Sequence, residues 1–336
     1  RRLGIPWGPE RNCEVGAETL FTRSRQRAFI KVQDGCRYRC AYCVITLARG
    51  EERSRATAEL VAEVRRLIGS GVDEVVLTGV HLGGYGSDHP GEDLMTLTRT
   101  LLAETPIRRL RLGSLEPWDL PDGFWDLFSD ARLMPHLHLP IQSGSDRVLR
   151  RMTRRGRGSD FLALAKAGRA AVPDLNLTTD VIAGFPGETE AEWQETLALV
   201  EEIGFGDVHV FPFSPRPGTS AAALSGQVPP DVGRARAQQL RHLADGLRRL
   251  TLTRMVGRHA EVLVEGSEDW TGPTAERLGY TPGYLPVRIV GLSDQIGRGN
   301  RIRRVCLTGV TPSGDALVGA EDSDPPVGPG MVVRRH

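Results

Sequence analysis

Apolar runs of strand length recur along the first two thirds of the chain, separated by stretches with helical spacing. Strands are predicted over Ala28–Val32, Glu74–Thr78, Ile107–Leu112, His136–Ile141, Leu175–Ile182 and Val208–Phe213. Amphipathic helices are predicted over Ala58–Ile68, Asp93–Ala103, Asp160–Ala171 and Glu190–Ile203. This alternation specifies an α/β fold with a parallel sheet rather than separate all-α and all-β halves. Six such units are too few to close an eight-stranded barrel, so an open, partial (β/α)6 TIM-like barrel is expected. Ligand-binding groups in such a barrel gather at the C-terminal ends of the strands.

The pattern changes after Pro215. A linker punctuated by Pro215, Pro217, Gly218, Pro229 and Pro230 leads into a helix over Asp231–Thr253, which carries Arg234, Arg236, Arg241, Arg248 and Arg249. From about Gly257 the chain turns to short β segments, Glu261–Val264, Leu285–Val290, Ile302–Leu307 and Ala316–Val318, separated by Gly and Pro. A small C-terminal β-barrel is the expectation. No internal repeat and no low-complexity run is present.

Composition narrows the classes. The chain has 336 residues, 40% hydrophobic and 25% charged, as expected of two or three ordinary globular domains. No uninterrupted apolar run is long enough to cross a bilayer, so no membrane association is expected. The chain opens on Arg1-Arg2-Leu3-Gly4, without a starting Met or a signal-peptide pattern, and is expected to be a fragment or a trimmed chain. The net charge of +1 gives no bulk electrostatic case for nucleic acid, so any RNA site must come from local clustering. Lys occurs only at Lys31 and Lys166, so nearly every cation is Arg.

The cysteines change the picture most. There are five, Cys13, Cys36, Cys40, Cys43 and Cys306, and three of them crowd into one short segment. An odd, clustered set in a chain of this size is not a disulfide framework. A reducing, cytoplasmic compartment and a metal or redox role for the trio are expected. The first predicted strand runs directly into Asp34-Gly35-Cys36-Arg37-Tyr38-Arg39-Cys40-Ala41-Tyr42-Cys43, which puts three thiolates on one tight loop at a strand end. Thiolates hold iron–sulfur clusters. A [4Fe–4S] cluster held by Cys36, Cys40 and Cys43 leaves one iron open to chelate the amino and carboxylate groups of S-adenosylmethionine (SAM). The alternative is a structural zinc knuckle, which wants a fourth ligand; the next His after Cys43 is His81.

At these residues the chain resembles the radical-SAM methylthiotransferases. The resemblance runs from Phe29-Ile30-Lys31-Val32-Gln33-Asp34-Gly35-Cys36 to Arg49-Gly50, then Arg53-Ser54-Arg55. It continues through Leu77-Thr78-Gly79-Val80-His81-Leu82-Gly83-Gly84-Tyr85-Gly86, Gly113-Ser114-Leu115-Glu116-Pro117 and Leu139-Pro140-Ile141-Gln142-Ser143-Gly144-Ser145. Two further blocks are Thr179-Asp180-Val181-Ile182-Ala183-Gly184-Phe185-Pro186-Gly187-Glu188 and Phe211-Pro212-Phe213-Ser214-Pro215-Arg216-Pro217-Gly218-Thr219. Within the family, Gln33-Asp34-Gly35-Cys36 and Gly79-Val80-His81-Leu82-Gly83 resemble the threonylcarbamoyladenosine branch.

The resemblance implies a partial barrel followed by a TRAM domain, a small RNA-binding β-barrel. It divides the chain into a remnant or linker at 1–26, a radical-SAM barrel at 27–222 and a basic linker helix at 223–256. A TRAM barrel at 257–320 and a tail at 321–336 follow. Family members also carry an N-terminal domain whose three cysteines hold a second cluster. Only Cys13 precedes the motif here, so that domain is expected to be missing and the chain incomplete for full turnover.

The family also implies roles. Tyr42 sits where relatives contact the adenine of SAM; an ordinary loop anchor is the alternative. Gly79, Gly83 and Gly84 sit where backbone approaches the methionine part of SAM, although a tight strand-to-helix turn needs the same residues. Ser114, Glu116, Gln142 and Ser143 end strands and are assigned to the ribose and amino-acid ends of SAM. Arg154 and Arg155 are candidates for its carboxylate, or an exposed basic helix end. Asp180 binds a hydroxyl or caps a turn. His136 and His138 are read as a structural or substrate-facing pair rather than a metal site. The Arg-rich helix and Arg298, Arg301, Arg303 and Arg304 are candidates for tRNA phosphate.

The implied reaction is methylthiolation at C2 of N6-L-threonylcarbamoyladenosine beside the tRNA anticodon. SAM would be cleaved reductively, a hydrogen abstracted, and sulfur and a methyl group inserted. A flavodoxin or ferredoxin is the expected electron donor. The competing readings are a methylthiotransferase of the isopentenyladenosine branch, a non-catalytic zinc and RNA-binding protein, and a metal-dependent hydrolase built on His136 and His138.

Overall fold

A computed structural model describes residues 26–265, 277–292 and 301–322. Strands β1 (Arg27–Asp34), β3 (Glu74–Gly79) and β4 (Arg109–Leu112) pair in parallel, and so do β5 (His136–His138), β6 (Asn176–Ala183) and β7 (Asp207–Pro212). The two sheets meet through a parallel bridge between Ser114 and His138 and a hydrogen bond from Leu115 N to His138 O. Six parallel strands thus follow one another in chain order. A short β2 (Arg53–Ser54) pairs antiparallel to the outer edge of β1, and no pairing joins β7 to β1 among the described residues. The result is the expected open (β/α)6 barrel, with a gap between its first and last parallel strands.

The helices form where the apolar spacing places them, at Thr57–Gly69, Leu94–Glu104, Gly158–Ala171 and Glu190–Ile203. Caps set two of the starts. Asp93 accepts from Thr96 N at 2.7 Å, and Thr189 and Glu192 form a reciprocal capping box. Leu60, Val64, Leu97, Leu101, Trp193 and Val200 are fully buried against Ile30, Val32, Leu110 and Leu177 of the strands. One crossover differs in kind from the others. Between β4 and β5 the chain uses 3-10 turns at Pro117–Asp119 and Phe124–Ser129, because Pro117, Pro121 and a left-handed Gly123 interrupt any longer helix.

The helix Pro230–Thr253, expected as a connecting segment, is a structural wall. Ala237, Leu240 and Ala244 are buried against the same core. Three of its arginines are held by the protein itself, whereas Arg234 and Arg249 are exposed. Arg236 pairs with Glu188 at 2.9 Å, Arg241 donates to Val210 O, and Arg248 pairs with Asp207. The expectation that this helix presents its arginines to phosphate is thereby narrowed to Arg234 and Arg249.

The C-terminal part is a closed five-stranded barrel of β8 (His259–Val264), β9 (Arg277–Tyr280), β10 (Pro286–Val290), β11 (Ile302–Val310) and β12 (Leu317–Glu321), in the order β10-β12-β11-β8-β9. Val262, Val264, Val287, Ile289, Val305, Leu307 and Leu317 fill it. Strand β9, four residues with Gly279 inside, has no pattern that marks it in the sequence. No helix among the described residues is long and apolar enough to cross a membrane.

The two barrels join at the N-terminal ends of the parallel strands. Glu74, fully buried, receives Arg27 Nε at 2.5 Å and Arg111 Nε at 3.2 Å, with Arg109 at 3.8 Å. Arg109 reaches across to the carbonyls of Glu261 (2.7 Å) and Tyr280 (3.3 Å). The Arg27 guanidinium lies 5.0 and 4.9 Å from the Tyr280 and Tyr284 rings, and that of Arg111 lies 4.7 Å from Tyr284. At the rim, Asn176 Nδ2 donates to Gly283 O, and Arg258 pairs with Asp174.

Burial alone would raise the Glu74 pKa, but the pull of Arg111, Arg27 and Arg109 outweighs it and holds the carboxyl below its ordinary 4.5. A depressed carboxylate contributes stability in full above its unfolded pKa and loses it as pH falls through the folded one. Glu74→Gln should therefore lower stability by about 3–5 kcal/mol at neutral pH, since it strands buried guanidinium groups. Urea denaturation of both proteins should show this gap closing as the buffer is taken below pH 4.5; a constant gap would contradict it.

Candidate active site

The cysteine loop leaves β1 through a turn that only glycine can make. Gly35 has φ +77°, and a Cβ there would lie 1.9 Å from Glu51 O. Its neighbours fasten the turn. Asp34 Oδ1 accepts from Gly35 N at 2.9 Å, and Gln33 Nε2 donates to Gly35 O at 2.9 Å. Cys36 N donates to Gly50 O, Cys43 N to Cys40 O, and Ala41 N to Met152 O. These bonds hold the three half-buried cysteines on one turn at the C-terminal end of the barrel.

Behind Cys36 lies a network that the motif alone does not reveal. His81, buried, places Nδ1 2.5 Å from Glu52 Oε1 and Nε2 2.5 Å from Asp119 Oδ2. Tyr38 donates its hydroxyl to Asp119 at 2.6 Å, and Arg37 N donates to Glu52 at 3.0 Å. Burial opposes a charged imidazole here, yet the hydrogen bonds to Asp119 and Glu52 raise the His81 pKa above its ordinary value. The glycines after β3 make room for this network. A Cβ on Gly84 would lie 2.5 Å from His81 Nδ1 and 2.9 Å from Glu52 Oε1, and one on Gly83 would lie 2.7 Å from Asp119 Cβ. Gly79 packs in the same way against Gln33 Oε1 at 3.0 Å. The close approach these glycines permit is thus to the chain's own acids and histidine.

Across from the loop, Arg154 is buried and pairs with Glu116 through both guanidinium nitrogens, at 2.8 and 2.7 Å. It lies 4.4 Å over the Trp118 ring and interacts with Cys40. Arg154 Nε, Trp118 Nε1 and Ser145 Oγ are buried without a hydrogen-bond partner. Gln142 adopts φ +65°, rare for any residue but glycine, while its backbone bridges Asp180 O and Ile182 N. Tyr42 packs on Ala41, Val148, Met152 and Phe185 and senses the charge of Arg154. Arg155 stacks 4.9 Å from the Tyr38 ring.

The donor set fits a cluster held by three thiolates. Burial pushes the Cys36 thiol up to about 11, and the neighbouring Cys40 and Cys43 thiolates add to the rise. Burial also raises Cys40, against the pull of Arg154. Three thiolates that repel one another ask for a cationic centre between them. The zinc alternative finds no free fourth ligand among the described residues. Cys36, Glu52 and His81 approach one another within 4.8 Å, but both nitrogens of His81 are already hydrogen-bonded to carboxylates. Cys306 sits on β11 in the other barrel.

Several sequence-derived assignments change. Ser143 turns away from the loop, fully buried, with its hydroxyl 3.2 Å from Thr196 Oγ1 on the helix Glu190–Ile203; it supports packing rather than a ligand. Ser114 bridges to His138 at the seam of the two sheets. Arg301 is only 5% exposed, with its backbone N–H facing Asp73, so it is withdrawn from any phosphate. Arg303 and Arg304 lie near Glu321 and Asp322 at 3.7 and 3.2 Å. Arg298 lies outside the described residues, as does Cys13.

Asp180 does not cap a turn. It stands on the inner face of β6, 3.3 Å from His138 Nε2 and 3.2 Å from His209 Nδ1. The sequence reading found no carboxylate set for His138 and missed His209 altogether. Strand register is the signal that would have found both, because Asp180 and His209 are direct partners across β6 and β7. His136 is buried beside Tyr284, and burial holds it neutral, well below its ordinary pKa.

Comparison with known proteins agrees with this geometry. The model of the radical SAM superfamily matches residues 30–200. The chain is 39% identical over 281 residues to the threonylcarbamoyladenosine tRNA methylthiotransferase MtaB of Thermotoga maritima, covering 83% of this chain and 63% of that protein. It is equally similar, 39% over 292 residues, to a tRNA-2-methylthio-N6-dimethylallyladenosine synthase of Cereibacter sphaeroides, covering 85% and 64%. The chain therefore spans somewhat less than two thirds of the length of these two relatives. A synthase of the same kind from Anaplasma marginale is 37% identical, with 90% and 67% covered. Among solved structures, coproporphyrinogen III oxidase from Escherichia coli, a radical SAM enzyme, superposes with a TM-score of 0.52 at 14% identity, covering 86% of this chain and 74% of that one.

The network behind Cys36 predicts an effect remote from the thiols. Gly84→Val should displace His81 and Glu52 and lower stability by about 1–3 kcal/mol. Thermal denaturation should show the loss; an unchanged melting temperature would mean the contacts yield freely.

Proposed function

We propose a function for this chain on one premise: it belongs to the radical SAM superfamily and, within it, to the tRNA methylthiotransferases. The cofactors of such a protein are a [4Fe–4S] cluster and SAM. We assign the cluster to Cys36, Cys40 and Cys43. The observation that carries this is the loop itself, which gathers three thiols at the C-terminal end of β1 with no fourth ligand among the described residues. When bound, the cluster supplies the electron that breaks SAM and makes an unreactive C–H bond accessible to chemistry.

The protein's own residues do the positioning. The Glu52–His81–Asp119–Tyr38 network fixes the loop from behind. The Glu116–Arg154 pair, with a buried unpartnered Nε, offers both charges toward the amino and carboxylate groups of SAM. Gln142, held at a left-handed φ, presents an amide that has no protein partner among the described residues. Strain of this kind is common where a side chain is aimed at a ligand.

The substrate we propose is N6-L-threonylcarbamoyladenosine of tRNA, methylthiolated at C2. Relatives of both branches are equally similar, so this finer reading rests on Gln33-Asp34-Gly35-Cys36 and Gly79-Val80-His81-Leu82-Gly83. The five-stranded barrel is assigned to RNA binding, the electron donor to a flavodoxin or ferredoxin, and the protein to the cytoplasm. These assignments follow the family.

Anaerobic reconstitution should give about four iron and four sulfide per chain, with 5′-deoxyadenosine formed from SAM under a strong reductant. Cys40→Ala should abolish 5′-deoxyadenosine formation. Zinc without iron, or cleavage retained in the variant, would overturn the assignment.

A further inference from the structure

The inner face of the barrel carries a polar set that binding of SAM at the loop does not use. Strand alternation puts His138, Thr178, Asp180 and His209 on that face, while Leu139, Val181, Val208 and Val210 between them face the core. His138 Nδ1 is 2.9 Å from Thr178 Oγ1 and its Nε2 is 3.3 Å from Asp180 Oδ1. His209 approaches the same oxygen at 3.2 Å, and the two imidazole rings lie 5.5 Å apart. Exposure rises along the set, with side chains 14% exposed at His138, 26% at Asp180 and 55% at His209. The set is therefore reached from the open side of the barrel, where the outer edge of β7 pairs with no strand among the described residues.

Its position is tied to the reaction site. Gln142 N donates to Asp180 O, so the set lies one backbone step from the residue we aim at SAM. A base that presents C2 to SAM brings its N6 substituent into the same chamber, because C6, which carries N6, and C2 flank the same ring nitrogen, N1. The two branches of the family differ in that substituent. Threonylcarbamoyl carries a carboxylate and a hydroxyl, whereas isopentenyl is wholly apolar.

We propose that His138, Asp180 and His209 form the subsite that reads the N6 substituent and selects a polar, anionic group over an apolar one. This rests on the methylthiotransferase reading. His209, the most exposed member, supplies the donor to the carboxylate through Nε2, while His138, engaged at both nitrogens, holds Asp180 in place to accept from the hydroxyl. Hydrogen bonding to Asp180 raises the His209 pKa, which favours its charged, donating form. Asp207, the direct strand partner of Thr178, lies 3.9 Å from His209 Nε2 and is itself paired with Arg248. An apolar substituent would cover the carboxylate and both imidazoles without replacing their hydrogen bonds to water. A site built for polar partners rejects such a ligand.

The test uses anticodon stem-loop RNAs that differ only in carrying N6-threonylcarbamoyladenosine, N6-isopentenyladenosine or plain adenosine. Binding to the SAM-loaded holoprotein is measured for wild type, His209→Phe, His209→Gln and Asp180→Asn, each checked for an unchanged melting temperature. Wild type should prefer the threonylcarbamoyl RNA over the isopentenyl RNA by at least about tenfold. His209→Phe should bring the two toward parity, and His209→Gln, which keeps a donor, should retain part of the preference. A preference unchanged in folded His209→Phe and Asp180→Asn, or wild type that binds all three RNAs equally, would overturn the proposal. So would one zinc per chain that disappears in His209→Phe, since that would make the set a metal site. Absence of SAM cleavage with this discrimination intact would instead defeat the parent reading and leave the subsite standing.

Discussion

One buried carboxylate organises the molecule. Glu74 begins the second parallel strand and collects Arg27, Arg111 and Arg109 from the two strands beside it. These arginines are also the groups that grip the five-stranded barrel, through Tyr280, Tyr284 and the Glu261 carbonyl. A charge inside a barrel is expensive unless it is paired and hydrogen-bonded, and here the pairing comes from both domains. The closed barrel thus seals the floor of the open one, and the floor charges register the two against each other.

The opposite end follows a different principle. The cysteine loop is packed only at Ala41 and Tyr42, and backbone hydrogen bonds fix the rest of it. His81 is the hub, clamped by two acids, and glycines at 83 and 84 exist in this fold to let those acids close on it. Between floor and loop lies the polar inner wall of β5 to β7. Most apolar contacts lie on the outer faces of the strands, where the helices cover them, while Ile182 and Phe211 share the inner face with the polar set nearer the loop.

The sequence was most readable where structure is local. All six parallel strands and the helices at 57–69, 94–104, 158–171 and 190–203 follow from apolar spacing, and the thiol motif follows from its own spacing. What stayed hidden depends on register or on distant partners. Ser143 follows Gln142 directly, yet the left-handed turn at Gln142 leaves the Ser143 hydroxyl on Thr196. The arginines at 236, 241 and 248 look like a solvated cationic face until the acids and carbonyls they meet come from β7 and the segment after β6. His209 carries no local signal, and only the β6–β7 pairing brings it to Asp180.

Attachment of the closed barrel at the floor sets a length scale. Strand β1 has eight residues, so the loop and the seam lie up to roughly 25 Å apart. A ligand that touches both must run along the outside of the open barrel over that span. A short oligonucleotide can occupy one end or the other, whereas a folded RNA that bridges them gains effective concentration at the second contact. On the RNA-binding role proposed for the closed barrel, the separation would work as a ruler, favouring substrates whose size matches the distance between the two ends.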